Sequence, residues 1–474
     1  MQLENFLLMR HEIVLILLAL ITLVLEIVVH DKNKISLVPV VIGLFALNTI
    51  VGFLPYQIGS LFGGMYHVSD AQVIMKNVIN VGTLIVLIQA AAWLKTAENH
   101  GKIMEFFILM ISTLIGMNFM ISSGDFLMFY LGLELATIPV AALAAYDLNR
   151  RESAEAGIKF ILSSALSSGV LLFGVSIFYM VSGSIYFSDV ANAVSEPTAM
   201  LALGLIFFFA GMGFKISLVP FHLWTADVYQ GAPINVTSYL SVISKAAASF
   251  VFVMILYKVF GSIAYLWQDI VYILAILTMT IGNLFAIRQQ NMKRFLAFSS
   301  IAQAGFILLG VINADKLGII TIVYFALIYI FSNLGAFGVV GAISNFNGKE
   351  TMSDYNGLYK TNPKLSLIMM LSLFSLAGIP PVAGFFGKFF LFTAAAKGGY
   401  YWLVFIAVVN ATISLYYYLL VVKAMFINKN ENPIPAFKSD GFTGIGLIMC
   451  SLGIFSIGFI SPIYEYINAM IDKF

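Results

Sequence analysis

Long apolar runs alternate with short polar stretches along the whole chain. A helix of about 20 apolar residues crosses the hydrocarbon core of a bilayer. Fourteen runs of that kind lie near residues 12–30, 36–54, 71–94, 104–122, 125–146, 154–182, 199–226, 233–257, 264–287, 295–313, 317–345, 365–396, 400–427 and 442–470. They predict an all-α polytopic membrane protein with about 14 transmembrane helices. The longest connection is the stretch NFNGKETMSDYNGLYKTNPK, so no extramembrane domain is expected to carry soluble chemistry. The first run holds Glu12 and Glu26, and no small-residue cleavage site follows it. It reads as a retained helix rather than a signal peptide.

Charges inside the runs change the picture. Lys215 and Lys245 sit near the middle of their segments. A charge at a bilayer helix centre costs about 2.5–3.5 kcal/mol on insertion scales. Pro220 lies five residues past Lys215, and without an N–H it leaves the Ile216 carbonyl unbonded. A broken helix beside a buried charge points to a hydrated pocket in the membrane. The bland alternative is a lysine snorkelling from a helix end. Glu134 lies mid-segment, five residues before Pro139, and next to Lys215 both groups can be charged. Lys159 lies only about five residues into its segment, where snorkelling competes with function; Lys76 and Lys423 read as snorkelling. His222, in PFHLW, is either a proton relay or a packing residue. Ser163, Ser164, Ser167 and Ser168 read first as close-packing residues, with a wet path as the alternative.

The runs also predict a repeat. Segments 4–8 and 9–13 form two five-helix units, and an odd number inverts the second against the first. The fourth helix of each is broken by proline: Pro220 beside Lys215, and Pro380–Pro381 before Lys388 in GIPPVAGFFGKFF. The second helix of each carries a polar residue, Glu134 and Gln303. Interrupted helices in inverted repeats mark transport sites. The expected divisions are an N-terminal three-helix segment at 1–103, half-channels at 104–262 and 263–428, and a C-terminal helix at 429–474.

Composition and charge set limits. Of 474 residues, 61% are hydrophobic and only 10% charged, and the net charge of +2 is too weak to suggest nucleic acid. One cysteine, Cys450, rules out an internal disulfide, and there is no cysteine cluster for iron–sulfur or zinc. No Gly-rich nucleotide motif follows a strand. Loops on one side hold fourteen of the 25 Lys and Arg residues; the termini and the opposite loops hold five. The bias predicts that both termini face away from the cytoplasm.

The residues GFKISLVPFHLWTADVYQGAP, the Lys245 helix, QQNMKRFLAFSSIAQAGF and LFSLAGIPPVAGFFGKFFLF resemble the proton-translocating antiporter-like subunits of respiratory complex I, the bacterial NADH:quinone oxidoreductase. The resemblance covers essentially the whole chain. It implies a Glu134–Lys215 ion pair that modulates proton affinity, with Lys159 assisting. It implies Lys245 as the central relay and Lys388 as the terminal proton donor or acceptor. Gln303 departs from relatives that have histidine there; it removes a titratable group but still orders water. No cofactor is expected on this chain, with NADH, FMN, iron–sulfur clusters and quinone on partner subunits. The implied partners are flanking antiporter-like and small membrane subunits and a lateral helix from the distal subunit. The implied location is the bacterial inner membrane. Lys245 and Lys388 require a polar link, for which Tyr324, Ser332 and Asn333 are candidates. The rivals are a multisubunit cation/proton antiporter subunit, a secondary solute transporter and a passive scaffold.

Overall fold

The computed structural model describes residues 6–194, 198–313 and 315–471. It is a helical bundle with one small hairpin. The first two helices, α1 (Arg10–Val28) and α2 (Val38–Gly52), lead into strands β1 (Gly59–Leu61) and β2 (Tyr66–Val68). The strands pair antiparallel, with Gly59 opposite Val68. Then come α3 (Asp70–Leu94), α4 (Ile103–Ile121), α5 (Phe126–Leu135), α6 (Ile138–Ala144) and α7 (Arg151–Ser182). The next group is α8 (Ala199–Ile216), α9 (Leu223–Gly231), α10 (Ile234–Tyr239) and α11 (Lys245–Lys258). Later helices are α12 (Ala264–Ile287), α13 (Met292–Val311), α14 (Lys316–Asn347), α15 (Pro363–Ala377), α16 (Ala383–Lys397), α17 (Tyr401–Phe426), α18 (Gly441–Phe459) and α19 (Pro462–Ile471), with short helices at Phe187–Ala193 and Leu358–Thr361 between the main ones.

Thirteen segments among the described residues are long and apolar enough to cross a membrane. The shortfall from fourteen lies in the expected run at 365–396, which forms two 15-residue helices, α15 and α16. Gly378 ends α15 at φ 86°, a conformation that suits glycine. Pro380 and Pro381 have no N–H to continue the ladder. The expected run at 442–470 is likewise two helices, with Pro462 opening α19.

The predicted break at Pro220 is present. α8 stops at Ile216, and Ser217 adopts a left-handed conformation at φ 67°. That conformation disfavours a non-glycine residue by roughly 1–2 kcal/mol. Side chains take up freed backbone groups: Trp224 Nε1 donates to the Phe214 carbonyl at 3.1 Å, and Thr278 accepts from the Val219 N–H at 3.0 Å. A further break, not expected from the sequence, separates α5 from α6. Pro139 opens α6, and its missing N–H frees the Leu135 carbonyl. Between α10 and α11 one turn, Leu240–Ser244, is a π-helix ending beside Lys245. Such turns recur at functional sites.

The buried centre consists of α3, α10, the π turn, α11, α13 and α14, while α1, α2, α7, α17 and α18 expose apolar faces. In lipid, such helices associate through packing and small residues rather than through the hydrophobic effect. The crossing of α4 and α5 illustrates this. A Cβ on Gly132 would lie 2.5 Å from the Met120 nitrogen, and one on Gly116 would lie 2.4 Å from the Ala136 nitrogen. That contact sets α5, with Glu134, against the bundle. Several features recur at matching places. α7 and α14 each have 32 residues and end on a left-handed glycine, Gly183 and Gly348. Asp125 caps α5 and bridges Tyr186, while Asn291 caps α13 and bridges Thr351.

Candidate functional site

Lys215, Lys245 and Lys388 lie buried between helices, each beside a polar cluster. Lys215, in the last turn of α8, is 7% exposed. Its ammonium donates to Thr137 Oγ1 at 2.6 Å. Thr137 sits in the α5–α6 break, so the unexpected interruption supplies the partner. A cavity with room for about one water adjoins Lys215 and is lined by Thr137, Ser164, Ser167 and Ser168. Three of the four α7 serines thus face the lysine rather than only packing. Ser163 bonds back to its own helix.

The expected contact between Glu134 and Lys215 is not made as an ion pair: among the described residues, no carboxylate lies within 4.0 Å of Lys215. Glu134 Oε1 is buried without a hydrogen-bond partner. Thr137, three residues on, holds the ammonium instead. A helical offset of three puts both side chains on one face. Lys159 is also placed differently from expectation. Its side chain is 42% exposed and lies 2.7 Å from both Glu155 and Asp227. Asp227 in turn accepts from Arg294 at 2.6 Å. Lys159 therefore belongs to a peripheral charge cluster, not to the buried row. Asp227 was not anticipated, although it is the one acidic residue in the stretch PFHLWTADVYQ.

Lys245, 2% exposed, donates to Ser300 Oγ at 2.8 Å and lies 5.6 Å from the Tyr229 ring centre. Lys388, 4% exposed, donates to the Ala377 carbonyl at 3.0 Å across the α15–α16 break, and stands 4.7 Å from the Phe306 ring centre. A cation over an aromatic face is stabilised by about 2 kcal/mol when desolvated. Gln303 and Lys388 share a second cavity with room for about one water, also lined by Tyr329, Ser332 and Ser375. Ser300 and Gln303 are one turn apart on α13. The first takes Lys245, and the second reaches the Lys388 cavity and donates to Tyr418 Oη at 3.3 Å. One face of α13 therefore spans the gap between the two lysines. Asn333 donates to Tyr329 Oη at 2.6 Å and to Ser241 at 2.9 Å; Ser332 shares a hydrogen bond with Ser375 at 2.7 Å. Ser332 and Asn333 thus lie in a hydrogen-bonded cluster beside the Lys388 cavity. Tyr324 is not part of it: it bonds the Ile457 carbonyl and packs on Phe390 and Tyr464. His222 lies in the α8–α9 break, 7% exposed, with Nδ1 unpaired.

Lys76 corrects a further expectation. It does not snorkel: it is 1% exposed, with its ammonium 2.6 Å from Glu12 and 3.0 Å from Tyr66 Oη. Tyr66 also donates to Glu12 at 2.8 Å. Opposite charges in the first and third apolar runs, Glu12 and Lys76, were the missed signal. Lys423, by contrast, is exposed. Outside the spans, His67 on β2 is held below the usual imidazole range by burial and by nearby Lys258. No group of three or more His, Cys, Asp or Glu among the described residues is placed to hold a metal.

The arrangement suits proton movement. The ammoniums of Lys215, Lys245 and Lys388 each meet a neutral hydroxyl or carbonyl, so losing the proton strands no directly paired carboxylate. Lysine releases a proton readily when buried. The hydroxyls and cavities offer donors and acceptors at hydrogen-bond spacing.

Known proteins share this architecture. Residues 123–414 match the family described as NADH:quinone oxidoreductase/Mrp antiporter, TM. NADH-quinone oxidoreductase subunit N of Phocaeicola vulgatus is 49% identical over 461 residues, covering 97% of each chain. A chain of respiratory complex I from Thermus thermophilus with bound aureothin superposes with a TM-score of 0.80 at 27% identity, over 95% of this chain and 97% of that one. A chain of the Mrp complex from Dietzia superposes with a TM-score of 0.86 at 19% identity, over 99% and 97%, a likeness of fold alone.

Proposed function

The chain belongs to the NADH:quinone oxidoreductase/Mrp antiporter transmembrane family, and we propose that Lys215, Lys245 and Lys388 are its proton carriers. It is a proton-translocating membrane subunit of an NADH:quinone oxidoreductase, coupled to electron transfer elsewhere in that complex. The observation that carries the lysine assignment is the α13 face on which Ser300 holds Lys245 while Gln303 opens on the Lys388 cavity. Glu134 acts on Lys215 through its charge rather than by touching it, while Thr137 holds the ammonium. Movement of either residue changes what the ammonium meets. The matched lengths, caps and breaks support two inverted five-helix units at 104–262 and 263–428, flanked by 1–103 and 429–474. Flavin, iron–sulfur clusters and quinone belong to partner subunits, and other antiporter-like and small membrane subunits flank this chain, with a lateral helix from the distal subunit. The location is the inner membrane.

Two tests follow from this reading. Purification through a tag on this chain is expected to bring down flavin and iron–sulfur subunits with NADH oxidation sensitive to quinone supply. Sodium-dependent exchange without those subunits would instead identify a cation/proton antiporter. Glu134→Ala is expected to lower proton uptake in vesicles roughly tenfold, which corresponds to about 1.4 kcal/mol, and Glu134→Asp to lower it less. Parental uptake by an assembled Glu134→Ala complex would remove Glu134 from the mechanism.

Sidedness has its own test. The Lys and Arg bias predicts residues 31–34 and 288–294 at the cytoplasm and the C-terminus opposite. With Cys450 replaced by serine, a cysteine at Gln289 is expected to react with impermeant reagent from the cytoplasmic side and a cysteine at Lys473, which lies outside the described residues, from the other. The reverse pattern would invert the topology.

A further inference from the structure

Proton carriers at the centre of a bundle need routes to water. α3 lies outside both five-helix units, yet it carries Gln72, Lys76, Asn80 and Thr83, all buried. Their spacing of four, four and three residues puts them on one helical face. Gln72 Nε2 crosses to α4 and donates to the Ile121 carbonyl at 2.9 Å. Asn80 on α3 and Asn118 on α4 are 0% exposed, and the amide oxygen and nitrogen of both lack a partner, as does Ser122 Oγ. An unpaired buried amide is heavily penalised. Two of them in neighbouring helices call for a ligand with donors and acceptors of water's size.

Both ends of this seam lead somewhere. At one end is a cavity of about 430 Å³, lined among others by His67, Gln72, Ser123, Tyr186, Met254 and Lys258. At the other end Thr113 of α4 shares a hydrogen bond with Tyr239 at 2.6 Å, just before the π turn. α3 meets the same turn: a Cβ on Gly82 would lie 2.4 Å from Ile243 Cδ1. Lys245 follows that turn. Depths agree as well. Lys245 and the vestibule residue Lys258 begin and end α11, roughly 20 Å apart, and Gly82 lies roughly 15 Å along α3 from Gln72.

We propose that the α3–α4 seam is a water-filled conduit that carries protons between the His67–Lys258 vestibule and Lys245. This rests on Lys245 being a proton carrier. A proton leaving the Lys245 ammonium passes to water and leaves neutral lysine; only N–H and O–H bonds are exchanged. The Glu12–Lys76 pair beside the seam is compatible with this, because its two charges cancel each other and Tyr66 hydrogen-bonds to both.

Two measurements on the assembled complex in membrane vesicles test the conduit. Asn80→Leu with Asn118→Leu is expected to lose most NADH-driven proton uptake. In a Cys450→Ser background, Asn80→Cys is expected to react with 2-aminoethyl methanethiosulfonate, whereas Ile85→Cys, buried on the opposite face of α3, is not. An unreactive Asn80→Cys overturns the conduit, even where the leucine variant fails to assemble. Parental uptake by the double leucine variant also overturns it. Lys245→Ala separates the two levels: if it abolishes uptake while either of those results appears, only the conduit falls. If Lys245→Ala itself pumps like the parent, the assignment of Lys245 falls first.

Discussion

Lys388→Arg is expected to pump little better than Lys388→Ala, with both far below the parent. The Lys388 ammonium sits against the Ala377 carbonyl and the Phe306 ring, with a single-water cavity shared with Gln303 beside it. Arginine preserves the charge and the cation–π contact. It does not give up its proton in proteins, and its planar fork has different geometry. A site that only needs a fixed positive charge tolerates the exchange; a site that must alternate between charged and neutral does not. A loss of roughly tenfold or more, about 1.4 kcal/mol, is expected for each variant. Proton uptake in reconstituted vesicles at matched complex levels is the readout. Parental uptake by Lys388→Arg would make Lys388 a fixed charge and end the relay from Lys245.

The second large effect is on stability. Removing one partner of a buried ion pair leaves an uncompensated charge and costs about 3–5 kcal/mol. Glu12→Ala leaves Lys76 with Tyr66 alone, deep between α1 and α3. Glu12→Ala and Lys76→Ala are each expected to lower the subunit's yield in membranes and its melting temperature in detergent. The double variant Glu12→Leu with Lys76→Leu should recover much of the loss, because it buries no charge. Single variants as stable as the parent would mean that the pair is not desolvated as the structure indicates.

The run lengths disclosed most of the fold, because a bilayer imposes a length on every helix. Interruptions were legible where proline met a lone lysine, as at Pro220 and Pro380. The α5–α6 break is not legible from Pro139 alone, because a proline can open a helix as readily as end one. The π turn before Lys245 has no residue that announces it. Site residues were legible as charges in apolar runs, since lipid makes each of them conspicuous. Their partners were not: Thr137 and Ser300 are ordinary small residues until tertiary contacts bring them to an ammonium. For Lys159 and Lys76 the sequence offers only distance to a segment end, a coordinate that ignores neighbours. Lys159 proved exposed beside Asp227, and Lys76 proved buried against Glu12.

The most direct test is NADH-driven proton uptake by the complex carrying Lys245→Ala, in vesicles with matched complex content. Lys245 is buried, holds Ser300, and stands where the α13 face begins. Loss of uptake with normal assembly is the predicted result. Uptake equal to the parent's would contradict proton transfer through the buried lysines.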